Sequence, residues 1–371
     1  MNSNQIQIES SVSKSNPTRV NLIWIYLLTS LGQSHQTAIR LHKKHGPLVR
    51  IAPNIISIGD PAAIRTIYGL TGAFTKKKKV AHAYSLTSLL GSKEAIDSCT
   101  ELFTLRFLET GIDIDGMMET IKGILFYAAM CGQVPEMHLF LLGNPLFLYL
   151  IPAIESWNAV LTFTLKAINS RITIQRDGEL ELNDDGSRDF LLKWAAVKKS
   201  DLLKMSTRDV ITYLSTNIFA GSDTTAIALR VIIYFLIKHP ENMRMLSDPI
   251  SYKESTSHLP YMGAVIKEAM RLHPSIGLLM ERHDPESFIP KRWLTADAEL
   301  LSKMENSFLT FGAGLRTCIG KYISLIEMHK VMPQLLRRYT IKLEDPKAEW
   351  RTSNRWFVQQ HGLICTLKKR T

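Results

Sequence analysis

The run Phe311-Gly312-Ala313-Gly314-Leu315-Arg316-Thr317-Cys318-Ile319-Gly320 constrains this chain more tightly than any other stretch. Three glycines bend a short loop, an arginine stands two residues before a cysteine, and an apolar helical pattern follows. Helix N-terminal amides and nearby cations favour a thiolate over a thiol. A cysteine at the mouth of a helix, in a pocket lined by an aromatic ring and glycines, is therefore a candidate iron ligand. Written F-x-x-G-x-R-x-C-x-G, the run fixes five positions, and ordinary residue frequencies produce it by chance in fewer than about one such chain in ten thousand. The plainer alternative is a glycine-rich turn around a buried structural cysteine.

The rest of the chain must supply a body for this loop. At 371 residues and 45% hydrophobic content there is enough apolar material for a large core. The four cysteines, Cys99, Cys131, Cys318 and Cys365, show no C-x-x-C and no regular spacing. This argues against a disulfide scaffold or a zinc site and suits a reducing compartment. The formal charge of +11 is spread along the chain apart from the lysines at 76–79 and the tail Lys368-Lys369-Arg370. Both clusters read as solvated faces, and no basic module interleaved with aromatics points to nucleic acid.

Residues 1–19 are polar and lack the design of a signal peptide. The apolar stretch 20–31 falls short of the roughly twenty residues a spanning helix needs. Residues 1–40 thus read as an N-terminal segment without a clear transmembrane helix, and 41–371 as one domain. A second apolar stretch, 139–151, is interrupted by Gly143, Asn144 and Pro145 and reads as core.

Helical periodicity dominates residues 87–240 and 259–337, while strand-like alternation sits near the ends. Leu48–Ala52 and Ile55–Ile58 flank Pro53-Asn54 as a hairpin, Tyr339–Leu343 is a strand, and residues 356–360 and 363–368 flank His361-Gly362 as a second hairpin. The fold class is mainly α (α+β), a helical body with small peripheral sheets.

Two further patterns lie on helices. Ser206-Thr207-Arg208-Asp209 resembles a capping box, and the helix it opens runs to Lys238-His239 before Pro240. Some thirty residues at helical rise span roughly 45–50 Å, the width of a domain. In its middle, Ala220-Gly221-Ser222-Asp223-Thr224-Thr225 places a glycine and several helix-averse polar residues where they should weaken the helix and open a groove. Farther on, Pro260 suits a first helical turn and Pro274 ends a helix on which Glu268 and Arg271 share a face. Taken alone, that pair reads as a surface salt bridge worth under about 1 kcal/mol.

Together these runs resemble the cytochrome P-450 haem-thiolate monooxygenases. The resemblance implies that Cys318 is the axial thiolate ligand of the iron of haem b (iron protoporphyrin IX), favouring O–O cleavage. It implies that Arg316 pairs with a haem propionate, that Phe311 shields the sulfur from water, and that Gly312, Gly314 and Gly320 form the cofactor loop. There, Gly314 and Gly320 let backbone approach the porphyrin. Ala220-Gly221-Ser222-Asp223-Thr224-Thr225 matches the family's A-G-x-D-T-T motif. By that match Ala220 and Gly221 make room for O₂, Thr224 hydrogen-bonds it and Asp223 relays protons from water. Glu268 and Arg271 match the family's E-x-x-R helix, and Arg292 in Pro290-Lys291-Arg292-Trp293 completes a buried structural triad that clamps the cysteine loop. Lys291 departs from the commoner glutamate. Residues 44–54 and Ile326-Glu327-Met328 are similar to filamentous-fungal, pisatin-demethylase-like members of secondary metabolism.

The activity implied is insertion of one atom of O₂ into a small lipophilic substrate, by hydroxylation or O-demethylation. Electrons come from NADPH through NADPH–cytochrome P-450 reductase, an acidic donor that the basic clusters would dock. The resemblance also implies an intracellular protein with peripheral contact to the endoplasmic reticulum surface, on which the 139–151 stretch would rest as a lid.

Some family stretches are joined directly where the family has several dozen more residues. These joins lie at 74–82, 104–108, 247–248 and 281–284. The last removes strands that normally extend the main sheet, which leaves the Leu48–Ile58 hairpin with an unpaired edge. The alternative function is accordingly a shortened, non-catalytic remnant that binds haem weakly or not at all.

Overall fold

The hairpin expected around Pro53-Asn54 is present. Helix α1 (Ser34–His45) leads into β1 (Leu48–Ala52) and β2 (Ile55–Ile58), which pair antiparallel with Leu48 opposite Ile58. The computed structural model describes residues 31–32, 34–52, 55–69, 84–90, 92, 96, 117–133, 156–169, 172–174, 180–182, 207–244, 246, 260–277, 288–295 and 297–370. Among these, β1 and β2 pair only with each other. Residues 1–30, the lysines at 76–79, the stretch 139–151 and all four joins fall wholly or mostly outside the described residues.

The body is helical. After the short helices α2 (Ala63–Ile67) and α3 (Leu86–Leu90) come α4 (Met117–Gln133) and α5 (Ser156–Asn169), which pack on each other. Strands β3 (Ile172–Ile174) and β4 (Leu180–Leu182) then form a hairpin inside a region whose sequence reads as helical. Three alternating residues on each side are too few to stand out from helical periodicity, and the local cue is Asp177-Gly178. The long helix α6 (Thr207–Lys238) ends two residues before Pro240, which opens α7 (Pro240–Arg244). Helix α8 (Pro260–Leu272) begins on its proline, as its sequence predicts. Helix α9 (Ala298–Asn306) is capped by Asp297, whose side chain accepts from the Leu300 N–H. Helix α10 (Lys321–Arg338) follows the cysteine loop and runs straight into β5 (Tyr339–Leu343).

Helices α6, α8 and α10 enclose the main core. Ile227, Val231, Ile232 and Leu236 of α6 meet Met262, Val265, Ile266, Ala269 and Met270 of α8, together with Met328, Met332, Leu335 and Leu336 of α10. Their three- and four-residue spacings put each set on one helix face. Full burial of each large side chain contributes about 1.5–3 kcal/mol. By length and composition, Ile211–Lys238 could cross a membrane. In this fold its apolar face is core.

The C-terminal strands pair differently from the sequence expectation. Residues 356–360 and 363–368 do not form one hairpin. Strand β7 (Val358–His361) pairs with β6 (Arg351–Asn354), and β8 (Cys365–Lys369) pairs with β5. Arg-Thr-Ser-Asn carries no apolar alternation, so β6 leaves no strand signal. Strand β5 turns Tyr339, Ile341 and Leu343 inward and offers β8 a packed partner. Gly362, at φ +86°, turns the chain from one sheet to the other.

Candidate active site

The cysteine loop is a closed turn held by its own backbone. The Cys318 N–H donates to the Phe311 carbonyl at 2.7 Å, Gly312 N–H reaches Leu309 O at the entrance to that closure, and Arg316 N–H reaches Ala313 O inside it. Gly312 (φ +70°) and Gly314 (φ +51°) take the left-handed bends that close it. Thr317 Oγ1 donates to the Gly314 carbonyl at 2.8 Å. Cys318 emerges exposed, three residues before α10, and Arg316 is exposed beside it. Phe311 is half-buried and packs against the main core.

Two glycines face open space, Gly320 beside the sulfur and Gly221 on α6. Among the described residues, a Cβ on Gly320 would meet only Cys318 Sγ, at 3.9 Å, and a Cβ on Gly221 would meet nothing within 4 Å. Both openings, with Cys318 exposed, fit a planar cofactor held through a cysteine sulfur. Gly314 is different, because the backbone it admits belongs to this chain: a Cβ there would overlap the Tyr68 carbonyl oxygen.

Glu268 gathers Arg271, Arg292 and Trp293 into one cluster. Its side chain is completely enclosed. Oε1 accepts from Arg271 Nη2 (2.7 Å), Arg292 Nε (3.0 Å) and the Ile289 N–H (3.0 Å). Oε2 accepts from Arg271 Nε (2.8 Å) and Trp293 Nε1 (2.9 Å). Burial pushes this carboxyl upward, but the hydrogen bonds from Arg271, Ile289 and Trp293 outweigh it and hold it below the usual glutamate range. From the same helix the Met270 carbonyl accepts Thr310 Oγ1 at 3.3 Å, while the Trp293 ring meets Phe308 edge-on at 5.4 Å. Thr310 and Phe308 lead into the loop, so the helix and the indole that meet at Glu268 also touch the residues before it.

Helix α6 forms the opposite wall. It runs without a break through residues 220–225, so the groove expected from a weakened helix does not open there. The hydroxyls of Ser222 and Thr224 are satisfied along the helix instead. Ser222 Oγ donates to Ile218 O at 2.5 Å and Thr224 Oγ1 to Ala220 O at 2.7 Å. Ala220 is exposed, Thr224 is half-buried and Asp223 is buried. Burial raises the Asp223 carboxyl against the opposing pull of Arg230, a hydrogen bond from Gln359, and Lys122. Among the described residues its Oδ2 has no partner.

The two walls meet one residue from Thr224. Thr225 Oγ1 lies 3.2 Å from Ser324 Oγ, and the Ser324 N–H donates to Gly320 O at 3.0 Å, one helical turn from the cysteine loop. Thr225 also hydrogen-bonds Glu327, whose carboxyl burial pushes up to about 7 against the lowering effect of that bond. Glu327, Ser324, Trp293 and the Ile289 amide carry no role in the sequence reading. Glu327 is the legible exception, since a carboxylate among apolar residues of an amphipathic helix calls for a partner.

The comparisons come to the same place. The cytochrome P-450 family model matches residues 126–284 and 281–366, in two pieces that meet at the join inferred between Glu281 and Asp284. Cytochrome P-450 monooxygenase cicH of Emericella nidulans is 29% identical over 454 aligned residues, covering 91% of this chain and 89% of that protein. Pisatin demethylase of Fusarium vanettenii is 27% identical over 452, covering 92% and 85%. A cytochrome P-450 monooxygenase of Aspergillus terreus is 29% identical over 423, covering 83% and 85%. Each alignment is longer than the 371 residues available, so it opens gaps within this chain. Cytochrome P-450 monooxygenases are the family to which this chain belongs, shortened internally relative to these fungal relatives.

Proposed function

We propose that this chain, as a single haem-binding domain over residues 41–371, inserts one oxygen atom from O₂ into a small lipophilic organic substrate by hydroxylation or O-demethylation. The observation that carries this reading is the exposed Cys318 with clear space over Gly320 and before Gly221. Haem b, when bound, supplies the redox chemistry that activates O₂. Cys318 would hold its iron, Arg316 would pair with a propionate, and Phe311 would line the sulfur's side of the loop. Because Thr224 commits its hydroxyl proton to Ala220 O, its Oγ1 has lone pairs left to accept a hydrogen bond beside the open space at Gly221. Asp223, raised by burial, holds a proton more readily than a solvated aspartate and can pass it toward that space. Glu268, Arg271 and Arg292 keep the loop in place.

NADPH–cytochrome P-450 reductase is the electron donor implied by the family, and the protein works inside the cell at the endoplasmic reticulum surface through peripheral contact. Two relatives named pisatin demethylase support a demethylation. The test is turnover of a panel of lipophilic aromatic methyl ethers with reductase, NADPH and isotopically labelled O₂. Label in a hydroxylated product, or formaldehyde release, supports the reading. NADPH consumption with neither opposes it.

The internal shortening favours a second reading, a remnant that holds haem weakly or not at all. The two-piece family match and the alignments longer than the chain are its support. Haem content after purification separates the two.

A further inference from the structure

The turn of α6 that carries Thr224 is gripped from outside at successive residues. Gln359 hydrogen-bonds Asp223, Ser324 meets Thr225, and Gln360 Nε2 donates to the Ile227 carbonyl at 3.3 Å. At Thr224 itself the grip is on the backbone: Ser275 Oγ donates to the Thr224 carbonyl at 2.8 Å. A helix carbonyl has a second lone pair beyond the one its own helix uses, so it can accept this bond without breaking the ladder.

Ser275 is itself held. Its carbonyl accepts the Val358 N–H at 2.9 Å, the Gly277 N–H donates to Trp356 O at 3.0 Å, and Ile276 pairs with Phe357. The three residues after Pro274 therefore form an extra strand-like edge against the β6–β7 hairpin, with the serine hydroxyl turned toward α6. Close packing fixes this edge, because a Cβ on Gly277 would overlap Asn354 and Val358 side-chain atoms.

We propose that Ser275 is a positioning residue for Thr224. Its hydroxyl holds the Thr224 carbonyl, and so fixes the backbone of the residue whose Oγ1 reaches back to Ala220. Thr224 is thereby coupled to the 275–277 edge and to the C-terminal hairpin. A hydroxyl held in one orientation accepts a hydrogen bond at one place. A carbonyl held only by its own helix lets the turn fluctuate more and the hydroxyl wander. This inference rests on the role given to Thr224 above.

The test uses the full chain as Ser275→Ala, Ser275→Thr and Thr224→Ala, with three readouts: amide hydrogen exchange across residues 220–232, the carbon monoxide spectrum of the reduced protein, and the split of NADPH electrons between peroxide and product. Ser275→Ala should raise exchange by about fivefold, the factor expected for one neutral hydrogen bond. It should also raise the peroxide share while leaving the spectrum unchanged, and Ser275→Thr should restore both. If Ser275→Ala does not fold, Ser275→Cys keeps the volume with only a weak donor and should give the same pattern. Wild-type exchange in Ser275→Ala overturns the proposal. So does raised exchange with an unchanged electron split when Thr224→Ala does divert electrons to peroxide. If Thr224→Ala diverts none, the role of Thr224 falls and the positioning role with it, while the exchange data still report the bond.

Discussion

The Tyr68 carbonyl oxygen occupies the volume that a Cβ on Gly314 would need. The cysteine loop is thus in backbone contact with the residue that ends α2, a segment far from it in sequence. Gly314→Ala meets this overlap and a left-handed φ together. It should cost about 1–3 kcal/mol, as overpacking does, read as a lower denaturant midpoint. An unchanged midpoint would show that Tyr68 does not rest there.

Glu268 collects five hydrogen bonds from Arg271, Arg292, Ile289 and Trp293 within a closed site. Glu268→Ala leaves two guanidinium groups and an indole N–H without their acceptor. Breaking a buried charge cluster from one side costs about 3–5 kcal/mol, so the variant should be largely unfolded or unable to retain haem. Chemical denaturation checks the first and absorbance the second. A near wild-type midpoint would contradict the clamp.

Stability should depend on pH through three desolvated groups of opposite sign, His273, His329 and Glu327. Burial lowers His329 to about 4, and lowers His273 to about 4 against a hydrogen bond to the Val358 carbonyl. Between there and 6.5 the unfolded chain binds more protons at these histidines, so their contribution is present above that window and lost as pH falls through it. Glu327 sits at about 7 instead of 4.5, so the folded chain binds the extra proton. Its contribution is present at low pH and lost as pH rises from 4.5 through 7. Glu327→Gln removes only that opposing slope. Urea unfolding at stepped pH should therefore show a steeper rise of stability with pH between 4.5 and 6.5 in the variant, by about one proton's worth. Parallel curves would contradict the burial of Glu327.

Which parts of this molecule were legible in its sequence follows from how locally each is encoded. Helix α8 starts on Pro260 and α6 stops before Pro240, because proline acts on its own turn. Yet α10 runs through Pro333, which is buried in the main core with Met332 and Leu335 beside it. Packing there overrides a local rule. Strand β6 was invisible because Arg351–Asn354 has no apolar period, and without it β7 seemed to need β8.

The site divides the same way. Arg292 could be tied to Glu268 only through the family resemblance, since they lie 24 residues apart. Nothing in Ser222 or Thr224 announced that each hydroxyl would bond back along the helix and leave α6 continuous. The links from Ser275 to Thr224 and from Ser324 to Thr225 join residues distant in sequence, and only the fold brings them together.

The central claim is that Cys318 holds haem iron as a thiolate. The most direct measurement is the carbon monoxide difference spectrum of the reduced full chain beside Cys318→Ala. A strongly red-shifted Soret band in the first and none in the second is the result predicted here. No such band in the unaltered chain, or one that survives loss of Cys318, would contradict it.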